Sequence, residues 1–199
     1  MINKICNSAK MVNFKGYSPT RKFELTKFDD IPCVYCGERT FALSKFDTAL
    51  DTAGSKNKMF KVAEKYINYL SKEEAKKAEF KLLPREKKEF KRVLRNLFVP
   101  HSSTIEHIKP ESHGGTYDLA NLAAACQRCN GQRKSIPLPE WIRLHPDIPQ
   151  NAQKHVDYLK IILPELIRNR KISPEYANYL ELLAETLKKE SEGLLDIKV

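Results

Sequence analysis

Between positions 85 and 98 the apolar residues Phe90, Val93, Leu94, Leu97 and Phe98 recur at i, i+3, i+4, i+7 and i+8, the stripe of a half-buried amphipathic helix. Upstream, Phe60, Ala63, Ile67 and Leu70 form a second apolar row, and Ser71-Lys72-Glu73-Glu74 is a capping box that starts another helix. Three helices follow from this pattern, separated near Ser71 and Pro84. Toward the end of the chain, Val156, Leu159, Leu163 and Leu166 predict a helix over about 152–170 that bends or breaks before Pro164. A last helix opens with Ser173 as N-cap and Pro174 at N1, and turns Tyr176, Leu180, Leu183 and Leu187 inward. Pro139 to Ile142 reads as a short helix that docks the single tryptophan, Trp141, into the core.

Between these helical blocks the period changes. Thr104 to Ile108 is rich in β-formers and ends at Pro110, Gly114-Gly115 permits a turn, and Asn121-Leu122 leads toward a helix starting near Ala124 or Cys126. The order there is strand, loop, strand, helix. Residues 1–30 show no period and read as an irregular lead-in, with a short strand before Ile31-Pro32. Its Lys10, Lys15, Arg21, Lys22 and Lys27 stand among Phe14, Tyr17, Phe23 and Phe28, which suits either packing on the neighbouring fold or a basic arm on nucleic acid.

Four of the five cysteines fall into two C-x-x-C pairs, Cys33/Cys36 and Cys126/Cys129. Two such pairs can close a four-sulfur tetrahedron, the coordination that structural Zn²⁺ prefers. Cys6 has no partner at metal spacing and reads as a free thiol. Cysteines kept as thiolates suit a reducing compartment. With no apolar run of 18 residues and no signal-peptide core, a cytoplasmic location is the expectation, and no membrane partner.

Charge adds a partner to the picture. The 199 residues include 35 Lys and Arg against 25 Asp and Glu, a formal net charge of +10, which favours a polyanion. From Lys56 to Arg95 there are fourteen Lys or Arg against six Glu, a surplus of eight. That run is either a solvated helical face or a clamp on the phosphate backbone, where contacts give affinity without reading bases.

The segment E-H-I-x-P (Glu106 to Pro110), followed by Gly114-Gly115, Asn121-Leu122 and C-x-x-C-N (Cys126 to Asn130) with Lys134 beyond, resembles the HNH nuclease family. The resemblance covers the zinc pairs and residues 103–135. It implies a ββα-metal finger in which His107 is the general base, Glu106 and Asn130 bind the catalytic metal, and Asn121 braces the loop between the strands. Two positions depart from the common pattern: Glu106 stands where the family usually has Asp, and Asn130 replaces the final histidine.

The residue types suit that chemistry by themselves. Phosphodiester hydrolysis needs a base to take a proton from water and a cation to neutralise the phosphate and the departing oxygen. Histidine titrates near 6.5, so His107 is a neutral base at cellular pH. Neighbours on a strand point to opposite faces, so Glu106 and His107 do not chelate one ion side by side. A carboxylate and an amide oxygen are hard donors suited to Mg²⁺ or Mn²⁺. Arg128, Arg133 and Lys134 stand near the metal position in sequence and can hold a phosphate, Lys134 foremost. His113 either reaches a phosphate or lies exposed in its loop.

The expected architecture is α+β and mostly helical: a lead-in over 1–30, a nuclease core over 31–135 with a basic helical insertion at about 55–98, and a helical extension over 136–199. The expected activity is metal-dependent hydrolysis of DNA; the residues do not exclude RNA. A zinc-stabilised module that binds nucleic acid without cutting is one alternative. A defence or toxin nuclease active only with a partner is another, in which the C-terminal helices form a homodimer or protein-partner surface.

Overall fold

The computed structural model describes residues 23–81 and 87–199, with the side chains of 77–81 and 87 left aside. The lead-in up to 22, with Cys6 and the basic residues to Lys22, and the break expected at Pro84 lie outside the described residues. In chain order the helices are α1 (Leu43–Thr52), α2 (Lys56–Tyr66), α3 (Lys72–Lys81) and α4 (Lys87–Phe98). Strands β1 (Ser103–His107) and β2 (Leu122–Cys126) follow, then α5 (Gln127–Arg133), α6 (Leu138–Leu144), α7 (Ile148–Arg168) and α8 (Tyr179–Glu190). The fold is α+β and mostly helical.

The strands pair antiparallel in the register Ser103↔Cys126 to His107↔Leu122. Alternation along β1 therefore sends Glu106 and His107 to opposite faces. Instead of a short strand before Ile31, the lead-in forms a 3-10 turn over Leu25–Lys27, and Pro32 bridges to Arg39 across the first cysteine pair.

Among the described residues two apolar cores form. Phe41, Phe46, Leu50, Met59, Ala63, Phe90, Leu94 and Phe98 make one, which joins α1, ahead of the expected insertion, to the helices of the insertion. The first helix of this core, α1, carries no uninterrupted apolar row and was not predicted; Phe46 and Leu50, one turn apart, suffice to hold it. The α3 capping box forms as expected, with Glu74 N–H donating to Ser71 Oγ (3.2 Å) and Ser71 N–H to Glu74 Oε2 (3.0 Å). On α4, Lys91 and Arg95 pair with Asp51 and Asp47 of α1. These cations of the basic run face an acidic partner within the protein.

The second core joins the finger to the C-terminal helices, including Ile31, Val34, Leu122, Trp141, Val156, Leu159, Tyr179 and Leu183. Among the described residues the C-terminal helices thus share their core with the finger. Tyr179, rather than Leu180, is the innermost residue of its turn, because its hydroxyl donates to the Leu122 carbonyl (2.9 Å). The long helix runs through Pro164 without a break. The carbonyl that loses its donor belongs to the exposed Lys160, where solvent is within reach of it. Among the described residues no helix is long and apolar enough to cross a membrane.

His155 of α7 is fully buried behind the first cysteine pair, its Nδ1–H donating to the Pro32 carbonyl (2.6 Å). Burial pushes its pKa down to about 4, against the pull of that bond. An unfolded histidine takes its proton near 6.5, so between pH 6.5 and 4 the unfolded state holds more protons and stability falls as pH falls. The full difference corresponds to about 3 kcal/mol. Urea unfolding of wild type and His155→Asn should show their stability gap narrowing from pH 7 to pH 4.5; a constant gap would refute this assignment.

Candidate active site and metal centre

The two cysteine pairs meet. Cys33, Cys36, Cys126 and Cys129 are free thiols whose sulfur atoms all lie within 4.8 Å of one another, with Cys36 and Cys126 3.9 Å apart. A tetrahedral ion with Zn–S bonds of about 2.3 Å spaces its sulfurs by about 3.8 Å, so the cluster fits Zn²⁺. Burial pushes the Cys33 thiol well up, and four adjacent thiolates cannot coexist there without a cation. Each pair is built by a tight turn. Gly37 N–H donates to the Cys33 carbonyl (2.9 Å), and Cys126 caps α5 by accepting the Cys129 N–H on its sulfur (3.4 Å). Val34 N–H then donates to the Ala124 carbonyl (3.0 Å), which docks the first pair on the free edge of β2. Asn151 of α7 clamps the same turn through the Tyr35 carbonyl (2.9 Å).

His107 ends β1, half-buried. Its Nε2 is buried and has no hydrogen-bond partner in the protein, and the edge of its ring meets Tyr117 at a centroid distance of 4.6 Å. Burial lowers its pKa, aided by Arg133 and opposed by Glu111, which leaves the ring neutral and able to accept a proton. The Tyr117 hydroxyl donates to Glu111 (3.0 Å), so the loop after β1 closes over the ring.

That loop is held by Asn121. Its side chain accepts the Lys109 N–H (2.8 Å) and donates to the carbonyls of Lys109 (3.1 Å) and Thr116 (2.8 Å), tying both limbs. Gly114 adopts φ +80, a conformation that L side chains rarely take. A Cβ on Gly115 would stand 1.8 Å from the Lys109 carbonyl oxygen. Since backbone would have to yield, Gly115→Ala should destabilise the protein by about 2–4 kcal/mol and loosen His107. Urea unfolding checks the first effect, and an unchanged midpoint would show that the loop accommodates the methyl group.

Glu106 lies on the other face of β1, 2% exposed, against α5. It accepts hydrogen bonds from Tyr35 Oη (3.0 Å) and from Arg133, with which it forms a buried ion pair. Burial raises its carboxyl pKa against the opposing charge of Arg133. Asn130 reaches the same seam, its Nδ2 donating to the Ile105 carbonyl (2.8 Å), so that Oδ1 is the atom that could meet a cation. One carboxylate and one amide oxygen are a donor set for a hard divalent cation, but the carboxylate already has a cation beside it.

The arginines depart from the sequence-based expectation. Arg133 is fully buried and cannot reach a phosphate on the surface: its guanidinium is spent on Glu106, the Tyr35 hydroxyl and two strand carbonyls. Arg128 is committed as well, to Glu38 (2.6 Å) and Glu74 (3.1 Å), where it ties the first cysteine turn and α3 to α5. Lys134 remains exposed as the C-cap of α5, with φ 51, and His113 is exposed on its 3-10 turn. Tyr35, Glu111 and Tyr117 carried no signal in the sequence. Arg133 carried one, since an acid on the inner face of a strand calls for a buried counter-charge.

Residues 89–135 match the family model described as HNH endonuclease, a segment that takes in α4, both strands and α5 but only the second cysteine pair. No curated protein and no solved structure matches the chain. The match falls on the ββα finger, beside which the structure places Cys33 and Cys36, so residues 89–135 are similar to HNH endonucleases and the four-cysteine cluster is consistent with a zinc-bearing form of that finger.

Proposed function

We propose that this protein is a metal-dependent endonuclease that hydrolyses phosphodiester bonds in DNA, with His107 as the general base. The observation that carries the reading is the His107 ring: lowered in pKa, fixed at the end of a strand, and with a buried Nε2 that has no hydrogen-bond partner in the protein and so is left for a substrate water. A water beside that nitrogen loses its proton as it attacks phosphorus in line. The backbone carbonyl of His107 is held by Arg133 (2.8 Å) and the following loop by Asn121, so the base has little freedom to drift.

Glu106 and Asn130 would hold the divalent cation once Arg133 releases the buried Glu106 carboxylate, and Mg²⁺ or Mn²⁺ there would supply neutralisation of the phosphate charge and of the departing oxygen. The structural ion at the four cysteines is Zn²⁺. Lys134, exposed beyond α5, is placed to hold a phosphate as a point charge, while the exposed lysines of α2 add backbone contacts that do not read sequence. The resemblance to HNH nucleases implies a 5′-phosphate and a 3′-hydroxyl as the product ends.

Incubation of supercoiled plasmid with purified protein in Mg²⁺, Mn²⁺ or chelator tests the reading. Nicked or linear product that requires the metal is expected from wild type and not from His107→Ala. A protein that retards plasmid on a gel under every metal and never cuts it is a binding module instead. Parallel incubation with RNA of matched length decides the polymer.

A further inference from the structure

The seam between β1 and α5 already contains a positive charge. Arg133 donates from Nη1 to Glu106, to the Tyr35 hydroxyl (2.8 Å) and to the His107 carbonyl (2.8 Å), and from Nη2 to the Ile108 carbonyl (2.7 Å). Its Nε is buried with no partner at all. A guanidinium in this position balances the carboxylate but leaves one of its own donors unsatisfied in a dry site, a cost of about 1–3 kcal/mol. Leaving Glu106 unpaired would cost more, because a lone buried charge is the less favourable state.

We propose that Arg133 is the resident cation of this site, that it competes with a divalent ion for Glu106, and that it thereby sets the affinity of the finger for metal. The inference rests on the reading of Glu106 and Asn130 as the ion's ligands. Buried Glu106 gains nothing from two cations at once, since their mutual repulsion in a dry seam offsets the attraction to one carboxylate. For an ion to enter, Nη1 must let go of Glu106. The carbonyls of His107 and Ile108 keep hold of the guanidinium, so the strand end that carries the base stays anchored in either state. Arg133 is a positioning residue in this account, acting on the reaction through Glu106.

Two measurements on the zinc-loaded protein test it. Calorimetric titration with Mn²⁺ should show Arg133→Met binding at least about tenfold tighter than wild type, with Arg133→Lys between them because an ammonium forms fewer of the bonds. Titration of ¹⁵N-labelled wild type with Mg²⁺ should shift the Arg133 side-chain signal, assigned by its loss in Arg133→Lys, and should not shift it in Glu106→Gln. Unchanged or weaker Mn²⁺ binding in folded Arg133→Met overturns the proposal. If that variant fails to fold, a wild-type Arg133 signal that stays fixed while Mg²⁺ saturates the protein overturns it equally. Glu106→Gln separates this failure from failure of the underlying reading: Mn²⁺ binding unaffected by that substitution means the ion is elsewhere.

Discussion

Alanine at His107 is expected to lower the rate of plasmid cleavage by about 10²–10⁴-fold while leaving DNA retention on a gel unchanged. The size follows from what is removed. A positioned base contributes that much to a proton transfer, and the oxygen donors around the seam survive the substitution. Binding survives because the phosphate contacts proposed here lie on Lys134 and α2, away from the ring. The fold survives as well: the His107 side chain is half-buried, and its recorded ring contact is the edge of Tyr117. Circular dichroism and zinc content should match wild type. A variant that cuts within fivefold of wild type would remove His107 from the mechanism. One that has lost zinc or helical signal would show that the ring was holding the loop.

Serine at Cys129, or extraction of the metal by a strong chelator, is expected to abolish cooperative unfolding of the finger and its associated helices. Structural zinc in small domains binds with roughly 10–16 kcal/mol at neutral pH, as much as or more than the roughly 5–15 kcal/mol that holds a typical domain together. The sulfur cluster is also the point at which the first cysteine turn, β2 and α5 meet. Trp141, the single tryptophan, reports on it directly, since its ring lies edge-on to Tyr35 between Cys33 and Cys36 (6.3 Å between centroids). Chelation should redden its emission and flatten the thermal transition. An unaltered melting temperature in metal-free protein would mean that apolar packing of α6, α7 and α8 holds the finger without the ion.

Much of this architecture was legible in the residues. The two C-x-x-C spacings converge on one point because short sulfur-to-backbone turns leave few other conformations. The α4 stripe and the α3 capping box report local physics and appear as read. Where the reading failed, the cause was a tertiary partner. Arg128 and Arg133 look like any basic residues beside a phosphate site, and only the approach of Glu38, Glu74 and Glu106, the nearest of them 27 positions away from its arginine, makes them internal. Pro164 breaks a helix only where the lost bond cannot be replaced by water, a matter of exposure that sequence does not state. The C-terminal helices carried amphipathic faces, yet nothing local said which core would receive them. Tyr179 chose the finger, through one hydroxyl on the Leu122 carbonyl.

The cysteine pairs stand on either side of the insertion, with Cys36 and Cys126 90 positions apart. During synthesis the first pair leaves the ribosome long before the second exists, and closing so long a loop costs about 4 kcal/mol of chain entropy by its length alone. The insertion removes most of that cost. Every member of its core, from Phe41 to Phe98, is made before the second pair, and its packing brings Phe41 beside Ser102, with the Ser103 N–H on the Phe41 carbonyl (2.8 Å). The helices thus serve as a jig on which the nascent chain is folded back. Cys126 and Cys129 arrive at a half-built socket, and the candidate active site is the last part of the finger to be completed.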